Sequence, residues 1–306
     1  MLCIKQGRTY CTNPPVSCND NRRALKNSLR HTLRMTRPLN LVIIALTMMC
    51  AYLIDNTLDS MLVDIHFVFR IVSAVCIAAA GNVINDYFDR KVDLINKPER
   101  TYVDVSVKRR VAIASHFFLN ALGITAGLMG CVQVHWIWML CPFATILLLW
   151  WYSPVLKKKF LIGNLAVGIC TALVPLWAVC FEIHLPVIIA VIFAFLTTVL
   201  REIVKDVEDT TGDLAAGYDT LAIRFGIVKT KRVLTLISAI IFCFCILLIA
   251  NAQSLQQQIF YGIILGSTLV VYAHMKRAKE PEDFRVPSRS LKIMMLLGVM
   301  LLPCVY

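Results

Sequence analysis

The chain has 306 residues, 58% of them hydrophobic and 16% charged, with a formal net charge of +12. A soluble domain carries about 45–50% apolar and about 25% charged residues, so a fold surrounded by water is excluded. Nucleic-acid binding is excluded as the meaning of the charge, because the basic residues sit at the ends of apolar segments.

Residues 1–30 form a polar, basic leader, rich in turn formers and expected to be flexible. The leader lacks the pattern of a cleaved signal peptide. Cys3, Cys11 and Cys18 lie within it at spacings that match no zinc site. Residues 31–306 read as one helical membrane domain. Nine apolar blocks follow in order, at about 39–54, 62–84, 111–131, 136–152, 161–181, 185–200, 233–250, 258–274 and 291–305. A span of roughly 20 apolar residues crosses a hydrocarbon core of about 30 Å. In lipid such a segment satisfies its backbone groups only as a helix. The reading is therefore an all-α protein of about nine transmembrane helices.

All but one of the 31 Lys and Arg lie in the leader or in every second connection. The exception is Arg70, inside the second block. The alternate connections carry Asp55, Asp59 and Glu182 and no Lys or Arg. This is the positive-inside pattern. It predicts a multi-pass protein of the plasma or inner membrane, with its N-terminus in the cytoplasm and, for nine helices, its C-terminus outside.

The two longest cytoplasmic connections follow the second and sixth blocks, and both open with acids. The first reads Asn85-Asp86-Tyr87-Phe88-Asp89-Arg90-Lys91-Val92-Asp93. Asn85, Asp89 and Asp93 stand at i, i+4 and i+8, on one helical face. The second runs from Arg201-Glu202 through Lys205-Asp206 to Asp209 and Asp213. Its three aspartates, at i, i+3 and i+7, again share a face. Apolar helices usually end in snorkelling Lys and Arg, so an aspartate stripe there needs another cause. Bare carboxylates so close repel one another, and a cation relieves this. Mg²⁺ takes oxygen ligands and bridges carboxylates to phosphates. Lys97, Arg100, Tyr152, Lys157 and Arg224 stand nearby, as a bound diphosphate would require. The two motifs are four blocks apart, which suggests two four-helix halves plus a ninth helix, with the acidic ends facing a central axis.

Taken together, Asn85-x3-Asp89-x3-Asp93, Asn96-Lys97-Pro98-Glu99-Arg100, Asp206-x2-Asp209-x3-Asp213 and Asp219-Thr220-Leu221-Ala222-x3-Gly226 resemble the UbiA superfamily of intramembrane prenyltransferases. The resemblance runs from Arg37-Pro38-Leu39-Asn40 to the last block. It implies nine helices around a central cavity and Mg²⁺ between the two motifs. It also implies a polyprenyl diphosphate donor and a lipophilic acceptor. By matching position, Asn85, Asp89, Asp93, Asp206, Asp209 and Asp213 would hold the metal. Asp89, Asp93, Asp209 and Asp213 would be catalytic. Asn85, Arg100, Tyr152, Lys157 and Lys205 would bind diphosphate, with Arg37 and Asn40 on the acceptor side. The segments Arg201–Asp206 and Arg37–Asn40 are similar to those of geranylgeranylglyceryl phosphate geranylgeranyltransferases. An aromatic acceptor, as in quinone or haem O biosynthesis, is the alternative.

Two departures stand out. The family's usual glycine is missing after Arg100. The usual Tyr-x3-Lys reads here as Tyr152-x4-Lys157, followed by Lys158 and Lys159. A secondary transporter is disfavoured because the acids lie at helix ends and not at the midplane. An alcohol phosphatidyltransferase would need one compact acidic motif, which is absent. Oligomeric state is not legible.

Overall fold

The computed structural model describes residues 18–54, 56–180 and 184–301; the side chains of 18–26, Arg100 and Leu301 fall outside that description. So do Cys3, Cys11, Asp55, Glu182 and the Cys18 side chain. Helices dominate, and no strand is found among the described residues. They are α1 (Cys18–Met35), α2 (Pro38–Tyr52), α3 (Leu58–Val63), α4 (Ile65–Asn96), α5 (Arg109–Gly130), α6 (Leu140–Trp151), α7 (Ile162–Ala178), α8 (Leu185–Glu208), α9 (Thr210–Ala215), α10 (Leu221–Ala250), α11 (Leu255–Arg277) and α12 (Arg285–Leu301).

Each of the nine apolar blocks has its helix, but not every one is long enough to span alone. Six segments among the described residues have the length and apolarity to cross a membrane. The bent pair α1 and α2 supplies a seventh. Helices α7 and α12 have 17 residues each. Helix α12 is described only as far as Leu301, and the first block is entered through a break. Arg37, at φ 55°, separates α1 from α2, and Pro38 opens α2. The segment expected to be a flexible leader is helical from Cys18 onward.

The helices close a ring. Neighbours pack in the order α4–α5, α6–α7, α7–α8, α8–α10, α10–α11 and α11–α12, and α12 returns to α2 and α8. Two apolar cores fill it. One is built from α8, α10, α11 and α12 around Leu200, Ile203, Leu234, Ile241 and Leu291. The other lies between α2, α4, α6 and α7 around Met48, Phe67 and Trp177. The two cores cut across the two expected four-helix halves: α7 packs with the helices of the first half, and α12 is part of the second core. Small residues let α4 and α5 approach closely, as membrane helices require. A Cβ on Gly123 would meet Ile77 Cγ1 at 2.7 Å.

Charged helix ends gather at one end of the ring. Contacts there join Arg37 to Asp86, Lys97 to Asp209, Lys157 to Asp89, Arg285 to Glu208 and Lys292 to Asn40. The segment 98–108 folds over this end on Met35, Val83, Val103, Val107 and Ala112. Helix α10 enters it with a kink at Gly226, whose φ of 73° suits glycine.

Candidate active site

Helix α4 continues well past its apolar stretch, so its last turns carry Asn85, Asp89 and Asp93 on one face into the polar end of the ring. Asp89 is buried, at 1% exposure. Its Oδ2 accepts from Lys157 Nζ at 2.6 Å, and its Oδ1 from the Tyr218 hydroxyl at 3.4 Å. Asn85 Oδ1 accepts from the Ser153 hydroxyl at 2.9 Å. Asp93 is half-buried, and its carboxylate has no hydrogen-bond or ion-pair partner among the described residues.

The second motif begins on α8 and turns into α9. Asp206 Oδ2 accepts from Asn164 Nδ2, on α7, at 2.7 Å. Both carboxylate oxygens of Asp209 accept from Lys97 Nζ, at 2.7 and 2.9 Å. Asp213 on α9 is 1% exposed, and its Oδ1 is buried without a hydrogen-bond partner. Burial pushes its carboxyl up to about 6, and the nearby Lys157 charge opposes that rise. Burial also works against the Lys157 charge, but Asp89, with Asp213 beyond it, holds the ammonium well above its ordinary value. Tyr218 is pushed up to about 12 by burial and by Asp89.

The two motifs are therefore joined, although more than a hundred residues separate them. Lys157 makes an ion pair with Asp89 and also acts on Asp213. Tyr218, just after α9, donates to Asp89. Asn96, at the end of α4, donates to the Asp209 carbonyl at 3.1 Å and accepts from Gly212 N at 2.9 Å. Gly212 has to be small for this, since a Cβ there would meet Asn96 Cγ at 2.6 Å.

The one-residue excess in Tyr152-x4-Lys157 has a structural answer. Tyr152–Leu156 is a π-helical turn, and Lys157 N donates to Tyr152 O, five residues back, at 2.7 Å. A π-turn holds one extra residue. Tyr152 and Lys157 thus stand in the relation that i and i+4 have on an α-helix. This selects Lys157 from the three lysines. Lys158 is exposed and lies over the Tyr218 ring at 5.9 Å.

Other expected site residues lie further from the junction. Lys205 donates to Glu202 at 3.2 Å on its own helix. Arg37 pairs with Asp86 at 2.8 Å, and Asn40 accepts from Lys292 at 3.2 Å. The Arg100 side chain lies outside the described residues. Asn96, Ser153, Asn164 and Tyr218 were not singled out as site residues from the sequence. Asn164 carried a usable signal, being a lone amide beside an apolar run.

The six expected metal ligands do not form one cage. Among the described residues no three His, Cys, Asp or Glu side chains gather at a single metal-binding point. Each of Asp89, Asp206 and Asp209 is instead engaged by a lysine or an amide, because close carboxylates need compensation. The residues still fit Mg²⁺, which commonly takes one or two carboxylates and completes its shell with water and substrate phosphate. The unpartnered Asp213 Oδ1 and the Asp93 carboxylate, which has no partner among the described residues, would be such ligands. When bound, Mg²⁺ would supply positive charge to a leaving diphosphate.

A helical membrane bundle whose acidic helix ends meet over a buried lysine is the architecture of an intramembrane prenyltransferase. The chain belongs to the UbiA prenyltransferase family, whose model matches residues 23–296. It is similar to the digeranylgeranylglyceryl phosphate synthase of Methanoregula boonei, at 35% identity over 211 residues, 67% of this chain and 72% of that protein. A solved structure concerning digeranylgeranylglyceryl phosphate synthase in membranes aligns with a TM-score of 0.68 at 26% identity, covering 91% of this chain and 98% of that one. A UbiA homolog from Archaeoglobus fulgidus bound to GPP and Mg²⁺ shares the fold, with a TM-score of 0.64 at 16% identity over 89% of this chain and 99% of that one.

Proposed function

We propose that this enzyme transfers a geranylgeranyl-like group from its diphosphate to the hydroxyl of a glyceryl phosphate ether lipid, at the cytoplasmic face of the membrane. The observation that carries the reading is the junction of Asp89, Lys157 and Asp213, which sets a lysine between carboxylates of the two motifs. Similarity to digeranylgeranylglyceryl phosphate synthases supports the acceptor class. The GPP and Mg²⁺ bound by the Archaeoglobus homolog support the donor class and the metal.

In this reading Asn85, Asp89 and Asp93 hold the metal-bound diphosphate from α4, and Asp206, Asp209 and Asp213 from α8 and α9. Lys157 moves from Asp89 to the diphosphate, where its charge stabilises the leaving oxygen. Tyr152, Arg100 and Lys97 flank it. The allylic C–O bond breaks and the diphosphate keeps the electron pair. The acceptor oxygen then bonds to the allylic carbon and releases its proton. The prenyl tail lies among the apolar helices and leaves laterally into lipid. Exclusion of water there prevents hydrolysis of the allylic cation. The clustering of Lys and Arg at the charged end of the ring supports its assignment to the cytoplasm, with the N-terminus inside.

The test is incubation of purified protein with Mg²⁺ and labelled geranylgeranyl diphosphate against a glyceryl phosphate ether, 4-hydroxybenzoate, a naphthoate and haem. Mass spectrometry should show the geranylgeranyl adduct of the glyceryl phosphate ether, dependent on Mg²⁺. An adduct on an aromatic acceptor alone would overturn the acceptor assignment.

A further inference from the structure

Beside the acidic junction lies a second charged group that it does not use. Lys292 is on α12, which packs against both α2 and α8. Its Nζ donates to Asn40 Oδ1, on α2, at 3.2 Å, and it has no carboxylate partner among the described residues. The charges of Arg201, Arg37 and Lys205 all act on it, so four cations from three elements converge. Their compensation is incomplete. Arg37 is paired with Asp86. Arg201 and Lys205 share one carboxylate, Glu202, at 2.9 and 3.2 Å. Lys292 is thus the one of these four cations without an ion-pair partner among the described residues.

The ordinary positive-inside effect does not account for this. Cations that only mark a cytoplasmic helix end extend into water, as the exposed Lys229 and Arg232 do. Arg201 and Lys205 have side chains only 22% and 29% exposed, and Lys292 is also half-buried. Half-buried like charges repel in a medium of reduced dielectric and call for an anion. A phosphate monoester carries about −1.5 to −2 at neutral pH and several strong acceptor oxygens. Its sign is the one an uncompensated Lys292 calls for. Helices α2, α8 and α12 flank the group with apolar surface, so the phosphate owner would have a lipid tail.

We propose that Lys292, Arg201 and Lys205, with Arg37 and Asn40, form the subsite for the phosphate monoester of the acceptor lipid. This deepens the acceptor assignment above and rests on it. Lys292 and Arg201 are then specificity determinants. They hold the acceptor by its phosphate, while Asp89, Lys157 and Asp213 handle the donor. The subsite also moves Lys205 from the donor side, where the sequence pattern puts it, to the acceptor side.

The test separates the subsite from the reading beneath it. Binding of a fluorescent glyceryl phosphate ether and of its dephosphorylated alcohol is measured on full-length protein in detergent, without Mg²⁺ or donor. Steady-state KM values for acceptor and donor are measured in parallel. Wild type should bind the phosphorylated lipid about ten-fold or more tightly than the alcohol. Lys292→Gln should remove that preference and raise the acceptor KM by about ten-fold, with the donor KM unchanged. Lys292→Arg should restore most of both, and Arg201→Gln should behave like Lys292→Gln. If wild type turns over the glyceryl phosphate ether but Lys292→Gln and Arg201→Gln keep the wild-type acceptor KM, the subsite is wrong and the acceptor assignment stands. If wild type neither binds the phosphorylated lipid preferentially nor prenylates it, both fall. A raised donor KM in Lys292→Gln would assign the cluster to the diphosphate and overturn the proposal.

Discussion

Asp89 and Asp213 are the buried aspartates of the two motifs, yet their replacement by asparagine should change stability in opposite directions. Both are 1% exposed. Asp89 compensates the buried Lys157 ammonium at 2.6 Å. Asp89→Asn leaves that ammonium without its counter-ion, and breaking a buried pair in this way costs about 3–5 kcal/mol. Asp213 has no such partner, and an oxygen of its carboxylate is unsatisfied. Burial raises its carboxyl from 3.8 to about 6, so ionisation is disfavoured in the folded state by about 2–3 kcal/mol. Asparagine has nearly the same shape and no charge, so Asp213→Asn should stabilise the metal-free protein by up to that amount. The sign depends on pH. Above about 6 the folded carboxylate is charged and the full gain appears. Below about 4 the wild-type carboxyl is neutral both folded and unfolded, and the gain disappears. Unfolding in mixed micelles of dodecyl maltoside and SDS, with EDTA, at pH 7.5 and pH 4, measures this. Prenyl transfer should fall by about 10²-fold or more in both variants, because each removes a group that handles the diphosphate. Loss of stability in Asp213→Asn at pH 7.5, or a gain independent of pH, would refute the argument.

Two further outcomes follow from the geometry. Deleting Val155 should convert the π-turn at Tyr152–Leu156 to an α-turn and keep Lys157 on Asp89. Activity should then stay within about ten-fold of wild type, whereas inserting one alanine after Val155 should abolish it. Gly212→Ala should force Asn96 away from the second motif and cost about 1–3 kcal/mol of stability. Its diphosphate KM should rise, and pairing it with Asn96→Ala should recover part of the stability loss, since the smaller side chain removes the clash.

The apolar blocks were legible because lipid admits only helices whose backbone is satisfied internally, and each block found its helix. The spacing of Asn85, Asp89 and Asp93 was legible because helical periodicity fixes which residues share a face. Neither rule states which other segment that face will meet. The sequence named Lys157 with Lys158 and Lys159 following it, and the π-turn directs Lys157 onto Asp89.

The remaining residues of the site became visible for the same reason. Asn96 with Gly212, Asn164 with Asp206, Ser153 with Asn85 and Tyr218 with Asp89 are pairs that 42 to 129 residues separate along the chain. No local pattern marks them, because each is an ordinary polar residue until a distant helix packs beside it. Lys292 is the extreme case, 252 residues from Asn40. Composition and periodicity act over a few turns of chain, and they settled that this is a helical membrane protein with two acidic ends. Which charges meet was decided by the packing of distant helices, as where Lys157 reaches Asp89, Lys97 reaches Asp209 and Lys292 of α12 reaches Asn40.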